Sequence, residues 1–179
     1  MKTVIVYESI YGNTHVIAEA IGRGVATGGD VTVVSVEEVT PDLFEGTDLI
    51  VMGGPTQAHG MSRVSSREAA IDPPHSPKET IVLDSHAKGP GVRDLLESLG
   101  HLDAYSAAFD TRFRLPSFIT GRASRGIQAK LSKHGCPVAA QPESFFVTRR
   151  EHLRAGEAVR AEAWGRQLAV SVAGRVAQQ

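Results

Sequence analysis

The stretch Val4-Ile5-Val6-Tyr7-Glu8-Ser9-Ile10-Tyr11-Gly12-Asn13-Thr14 decides the fold that this chain is expected to adopt. Its apolar beginning, residues 4–6, has no polar alternation, which is typical of a strand buried on both faces of a parallel sheet. After a short loop with one glycine, apolar residues recur at the spacing of one helix face. They are Val16, Ile17, Ala20, Ile21 and Val25. The stretch therefore predicts a strand, a tight loop and a helix of an open α/β sheet.

The loop in this stretch collects groups that suit an anion. The first amide groups of the new helix have no partner inside the helix, and the helix dipole favours negative charge there. We expect Asn13 and Thr14 to cap the helix, and hydroxyl groups of Ser9, Tyr11 and Thr14 to converge at the same point. Such a point suits a phosphate. The alternative is a tight turn in which Gly12 only supplies backbone freedom.

The same loop resembles a known phosphate-binding loop. Ser9-Ile10-Tyr11-Gly12-Asn13-Thr14 is similar to the loop of the flavodoxin family, with Tyr11 where many flavodoxins have threonine. In that family the loop binds the terminal phosphate of FMN without a basic side chain, and this loop has none. The resemblance implies a flavodoxin-like three-layer sandwich, in which a five-stranded parallel sheet of order 2-1-3-4-5 has helices on both faces.

Length and composition fit that expectation. The chain has 179 residues, 41% hydrophobic and 22% charged, which suits one domain over residues 1–179. No apolar run approaches membrane-spanning length and no signal-peptide pattern opens the sequence, so we expect a cytoplasmic protein. The single cysteine, Cys136, excludes an internal disulfide and is expected to lead into a strand.

Charge is unevenly distributed although the net charge is only −1. Residues 36–50 contain five acids and no base, and residues 111–142 contain six bases and no acid. Solvated faces and a ligand or partner site explain such runs equally well.

Further strands are expected at residues 31–36, 48–54, 104–109 and 137–147, the last one bent around residues 141–143. Helices are expected from about residue 65, over 91–99 and 120–135, and from residue 156 onward. We interpret residues 72–91 as a loop or insertion, in which 80–84 form either an extra edge strand or an ordered loop. Trp164 belongs to an apolar helical stripe and is expected to pack in the core.

Two further segments complete the expected site, because ligands of open α/β sheets bind at the carboxyl ends of strands where the strand order reverses. The loop after the third strand resembles the flavin-contacting loop of flavodoxins and supplies Pro55, Thr56, Gln57, His59 and Gly60. We expect Gly60 to take the positive-φ conformation of this turn, whereas His59 either covers the flavin or is an exposed loop residue.

The loop after the fourth strand, residues 109–116, leaves the sheet at the same edge. In flavodoxins this loop closes over the flavin ring, which implies a role for Phe109, Asp110, Thr111, Arg112 and Phe113. Phe113 is the candidate aromatic contact, although anchoring of the loop to the core is an alternative.

These features predict an FMN-binding electron-transfer protein without a catalytic side chain or a metal. We expect it to shuttle electrons between a reductase and an acceptor, as a monomer or weak dimer, and to bind neither nucleic acid nor membrane. The alternatives are an FMN-dependent NAD(P)H:quinone oxidoreductase, with arginines near Arg112 receiving a phosphate of the nicotinamide cofactor, and a flavodoxin-like binding module that has lost FMN.

Overall fold

The fold is organised around a mainly parallel β-sheet with helices on both faces. The structure is a computed structural model that describes residues 1–57, 59–72, 82–148, 150 and 152–176. Within these residues the strands are β1 (Lys2–Tyr7), β2 (Asp30–Ser35), β3 (Leu49–Gln57), β4 (Gly60–Met61), β5 (Tyr105–Phe113) and β6 (Glu143–Val147). The order β2-β1-β3-β5-β6 confirms the predicted 2-1-3-4-5 arrangement, and the short β4 adds a sixth strand that pairs antiparallel with β3.

The helices are α1 (Asn13–Val25), α2 (Val64–Ile71), α3 (Val92–Ser98), α4 (Ser117–Thr120), α5 (Ala123–Lys133) and α6 (Glu157–Val176). Side chains of β1 alternate between two apolar clusters, one shared with α1 and α6 and the other with α3 and α5. The sheet is therefore buried on both faces, as the unbroken apolar runs predict. None of the described helices is long and apolar enough to cross a membrane.

The close packing of α1 on α6 depends on glycine. A Cβ at Gly24 would collide with the backbone carbonyl of Glu162, and one at Gly165 would collide with that of Ile21. Trp164 lies between these helices and the sheet, 6.2 Å from the ring of Phe145, which agrees with its predicted place in the core.

Some local expectations are wrong. Val16 is 48% exposed, because it lies beside rather than on the buried face of α1. The fourth strand of the main sheet continues to Phe113 instead of ending at residue 109, because pairing with β6 runs from Phe109 to Phe113. The last strand is correspondingly short, since only an isolated bridge at Val138 precedes Glu143.

Part of the expected insertion, residues 73–81, lies outside the described residues, and Val82–Asp84 are not part of a strand. The backbone N–H of Asp84 donates to the carbonyl of Ile10 at 2.8 Å, and Ala87 is buried. This segment therefore packs against the first loop.

Candidate functional site

The first loop lies at the carboxyl end of β1 and leads directly into α1. Gly12 has a φ of 81° and occupies the N-cap position, with no atom close to where its Cβ would lie. Because Gly12 is the cap residue, the expectation that Asn13 and Thr14 cap the helix is wrong. Gly12 has no side chain, so the cap residue itself makes no side-chain hydrogen bond to the first amides of α1.

The hydroxyl of Thr14 instead joins the first loop to the third segment. Thr14 Oγ1 lies 2.8 Å from Thr111 Oγ1, and Thr14 is 2% exposed. Tyr11 bends in the other direction, where its hydroxyl donates to the carbonyl of Ala70 at 2.7 Å. The loop is thereby fixed to β5 on one side and to α2 on the other.

The second loop is held through its backbone and its polar side chains. Thr56 Oγ1 accepts a hydrogen bond from the N–H of Ala123 at 2.9 Å, and Gln57 Oε1 accepts one from Ser66 Oγ at 2.8 Å. Gly60 pairs with Gln57 in the β3–β4 hairpin. The end of β3 is therefore anchored to α5 through Thr56 and to α2 through Gln57.

The positive-φ residue of this hairpin is His59, with a φ of 71°, and not Gly60 as expected. His59 forms an isolated bridge with Gly121, where a Cβ would collide with the His59 carbonyl. The reason for the difference is that Gly60 is drawn into the extended pairing of β4, which leaves the turn to the residue before it.

The third segment begins in the core. Phe109 is fully buried against Gly53 and Phe145, and Asp110 is fully buried with its Oδ2 accepting from the N–H of Ser124 at 2.8 Å. Asp110 therefore satisfies an amide in the first turn of α5, and neither residue lines the cleft described below.

Arg112 is turned inward along β5. Its guanidinium donates to Ser144 Oγ at 3.1 Å, to the Leu115 carbonyl at 2.8 Å and to Thr120 Oγ1 at 3.0 Å. It also lies 5.1 Å from the centre of the Phe146 ring. Burial lowers the pKa of Arg112, an effect that the nearby carboxylate of Asp110 opposes.

A cleft of about 200 Å³ opens where the three segments meet. It is lined by the predicted site residues Ile10, Tyr11, Asn13, Thr14, Thr56, Gln57, Thr111, Arg112 and Phe113, together with Ala70 and Val147. The remaining predicted residues do not line it. They are Ser9, Gly12, Pro55, His59, Gly60, Phe109 and Asp110.

Ala70 and Val147 were not predicted. Val147 ends β6 at the same edge of the sheet, so the rule for carboxyl ends of parallel strands would have indicated it. Ala70 reaches the cleft through the packing of α2 on Tyr11, for which the sequence carries no signal.

A buried ionic cluster beside the cleft also escaped prediction. Glu8 follows β1 and is 7% exposed, with Oε2 accepting from the N–H of Val92 at 2.9 Å. Arg67 of α2 donates to Asp94 of α3 at 2.6 Å, and a Cβ at Gly91 would collide with both Arg67 and Glu8. Burial raises the pKa of Glu8, while hydrogen bonds and the charge of Arg67 act in the opposite direction.

The cleft fits a bound phosphate ester. Ser9 Oγ is buried and has no hydrogen-bond partner among the described residues, and the dipole of α1 points its positive end toward the same loop. Phe113, 37% exposed at the edge of the cleft, offers an apolar face to a flat ring. In the described ranges no cluster of three or more His, Cys, Asp or Glu side chains is suited to a metal ion.

The strand order and the helices on both faces define an α/β protein with a flavodoxin-like fold. The family model described as Flavodoxin matches residues 5–75, which include the first two site segments. A flavodoxin from the domain Archaea is 22% identical, with a TM-score of 0.64, over 97% of this chain and 99% of that chain. Flavodoxin 1 from Bacillus cereus is 15% identical, with a TM-score of 0.63, over 95% of this chain and 98% of that chain.

A WrbA-like flavodoxin from Agrobacterium tumefaciens is 17% identical, with a TM-score of 0.58, over 97% of this chain and 98% of that chain. At these identities the structures show the shared fold. Together with the family match over residues 5–75, this fold confirms the resemblance noted in the sequence. The flavodoxins that the chain resembles are FMN-binding proteins, which agrees with the predicted cofactor.

Proposed function

We propose that this chain binds FMN in the cleft and carries electrons between redox partner proteins. The observation that supports this most directly is the buried Ser9 hydroxyl, which has no hydrogen-bond partner among the described residues and directly precedes Ile10, a residue that lines the cleft. A phosphate at the start of α1 would offer this hydroxyl an acceptor. The loop contains no basic side chain, so binding rests on hydroxyl and amide donors and on the helix dipole.

The protein's part in electron transfer is to hold the cofactor and set its surroundings. Bound FMN would supply the redox chemistry, accepting and releasing electrons at its ring system. Thr14, Thr111 and Ser9 would hold the phosphate end, and Thr56 and Gln57 would border the ring end from β3. Phe113 would exclude water from one side of the cleft.

Arg112 is engaged within the protein, because its guanidinium donates to Ser144, Leu115 and Thr120. The nicotinamide-dependent alternative places a phosphate on the arginines near Arg112, so it would need another of them, such as the exposed Arg114. The electron-carrier function needs no free arginine at the cleft, and we therefore favour it.

Titration of the purified protein with FMN, followed by visible absorption and flavin fluorescence, tests the proposal. We expect shifted absorption bands and quenched fluorescence at one FMN per chain, and weaker binding of riboflavin, which lacks the phosphate. Absence of binding would leave the flavodoxin-like module without FMN as the remaining alternative. Rapid steady-state oxidation of NAD(P)H by the loaded protein would instead favour the oxidoreductase.

A further inference from the structure

The rim of the cleft carries an exposed apolar patch, which we define as Phe113, Leu115, Phe118 and Ile119. These four side chains fall within seven consecutive residues at the end of β5 and in α4. Phe118 is 84% exposed, Ile119 49% and Leu115 46%. Side chains of this size clustered on a surface mark an interaction site, whereas single exposed ones do not.

The patch is structurally tied to the candidate site. Thr120, at the end of α4, accepts a hydrogen bond from Arg112, which lines the cleft. Gly121, the next residue, forms the bridge to His59 in the second loop. A molecule that covered the patch would therefore lie beside both segments that border the cleft.

The charged residues in the segment of sequence that contains the patch have one sign. Residues 111–142 contain Arg112, Arg114, Arg122, Arg125, Lys130 and Lys133, and no Asp or Glu. Arg112 is engaged with Ser144 and Lys130 pairs with Glu97, whereas Arg114 and Arg125 are exposed and form no ion pair with any residue that the structure describes. An apolar patch with unpaired arginines nearby in the chain is complementary to a surface with an apolar centre and an acidic rim.

We propose that this patch is the docking surface for an acidic electron-transfer protein, which donates electrons to the site or accepts them. This inference rests on the proposed function, since it assigns the patch to a redox partner. The occupant is a protein and not a small ligand, because Phe118, the most exposed member of the patch at 84%, does not line the cleft. The basic rim would steer the partner to the cleft, and the apolar side chains would be buried on contact.

Stopped-flow electron transfer to two probe proteins tests the proposal. The FMN-loaded protein, reduced anaerobically with dithionite, is mixed with ferric cytochrome b5, which is acidic, or ferric cytochrome c, which is basic. In each reaction one electron passes from the reduced flavin to the haem iron, which becomes ferrous. We expect the rate constant with cytochrome b5 to fall as salt is raised, and that with cytochrome c to stay level or rise.

Two variants, each with a matched control, assign the effect to the patch. Arg125→Glu should slow the reaction with cytochrome b5 by roughly threefold or more at low salt, because it reverses a steering charge. Lys133→Glu makes the same change at the other end of α5 and should have a smaller effect. Phe118→Ser should slow the reaction at every salt concentration, while the exposed Val170→Ser on α6 should not.

Chemical-shift mapping separates this inference from FMN binding. Adding cytochrome b5 to the ¹⁵N-labelled protein without FMN should shift amide signals of residues 113–125. If FMN does not bind but these signals shift, the docking surface stands and the proposed function fails. Equal rates with both cytochromes, or shifts centred elsewhere, would overturn the docking surface even if FMN binds.

Discussion

Replacing Thr14 by valine tests the phosphate site with a minimal change of shape. Thr14 is 2% exposed, and its hydroxyl lies 2.8 Å from that of Thr111. Valine keeps the branched side chain but removes the hydroxyl. A bound phosphate would then lose one donor, and hydrogen bonds to charged groups contribute about 1.5–3 kcal/mol. The dissociation constant for FMN should therefore rise about 10- to 150-fold.

The measurement is a fluorescence-quenching titration with FMN and, in parallel, with riboflavin. Since riboflavin has no phosphate, its affinity should change about twofold at most, while FMN affinity falls. Thr14→Ser is the matched control, because it retains the hydroxyl and should bind FMN nearly as the unaltered protein does. Urea unfolding of each variant separates binding from stability, to which the Thr14–Thr111 bond should contribute about 1 kcal/mol.

The reasoning would be refuted if Thr14→Val weakened FMN and riboflavin by the same factor. The hydroxyl would then support the shape of the cleft and would not contact the phosphate. Unchanged FMN affinity would place the phosphate elsewhere, since a buried hydroxyl facing it cannot be removed without effect.

Three other regions of the protein allow equally direct tests. Gly121→Ala should destabilise the fold by about 1–3 kcal/mol in urea unfolding, because the new Cβ would collide with the His59 carbonyl. Gly60→Ala is the control and should change stability little, because its Cβ would meet no neighbour. Equal losses of stability would contradict the close approach of Gly121 to His59. Burial raises the pKa of Cys136 to about 11, so its thiol should resist an aromatic disulfide reagent at pH 8 in the native protein and react stoichiometrically in urea. Rapid reaction of the thiol in the native protein would disprove its burial. The pKa of Glu8 is raised in the folded state, so its protonated form stabilises the fold below about pH 4.5, and this stabilisation is lost as the pH rises through the folded-state pKa. The stability of Glu8→Gln relative to the unaltered protein should therefore increase from pH 4.5 to pH 8. A stability difference that stays constant over this range would be evidence against the raised pKa.

The sheet was predictable because strands that are buried on both faces have unbroken apolar runs in the sequence. Residues 4–6 and 49–52 have no polar alternation, and both lie in central strands. The first loop was predictable for a similar reason, since its glycine and hydroxyl residues stand together in the chain. Such local features need no knowledge of distant contacts.

The parts that sequence reasoning missed depend on pairing across the fold. Asp110 looked like a loop residue, but it is buried where β5 pairs with β6 and its carboxylate caps an amide of α5. The sequence indicated that Arg112 is an exposed cation, but its guanidinium donates to Ser144, 32 positions away. The sequence indicated that Gly60 has the positive φ of the turn, but in the structure His59 has it. For Asp110 and Arg112 the decisive contact lies outside the local segment, whereas for Gly60 it is the strand pairing within the hairpin.

The glycine-mediated packing of α1 on α6 makes the first loop dependent on the last helix. Residues 5–75, which carry the family match, contain the candidate phosphate loop at the start of α1, but Gly24 of that helix lies against the backbone of Glu162. During synthesis a main packing partner of α1 therefore emerges more than 130 residues after α1 itself. The candidate loop gains this support late, so a substitution at Gly165 should alter ligand binding without changing a residue that lines the cleft.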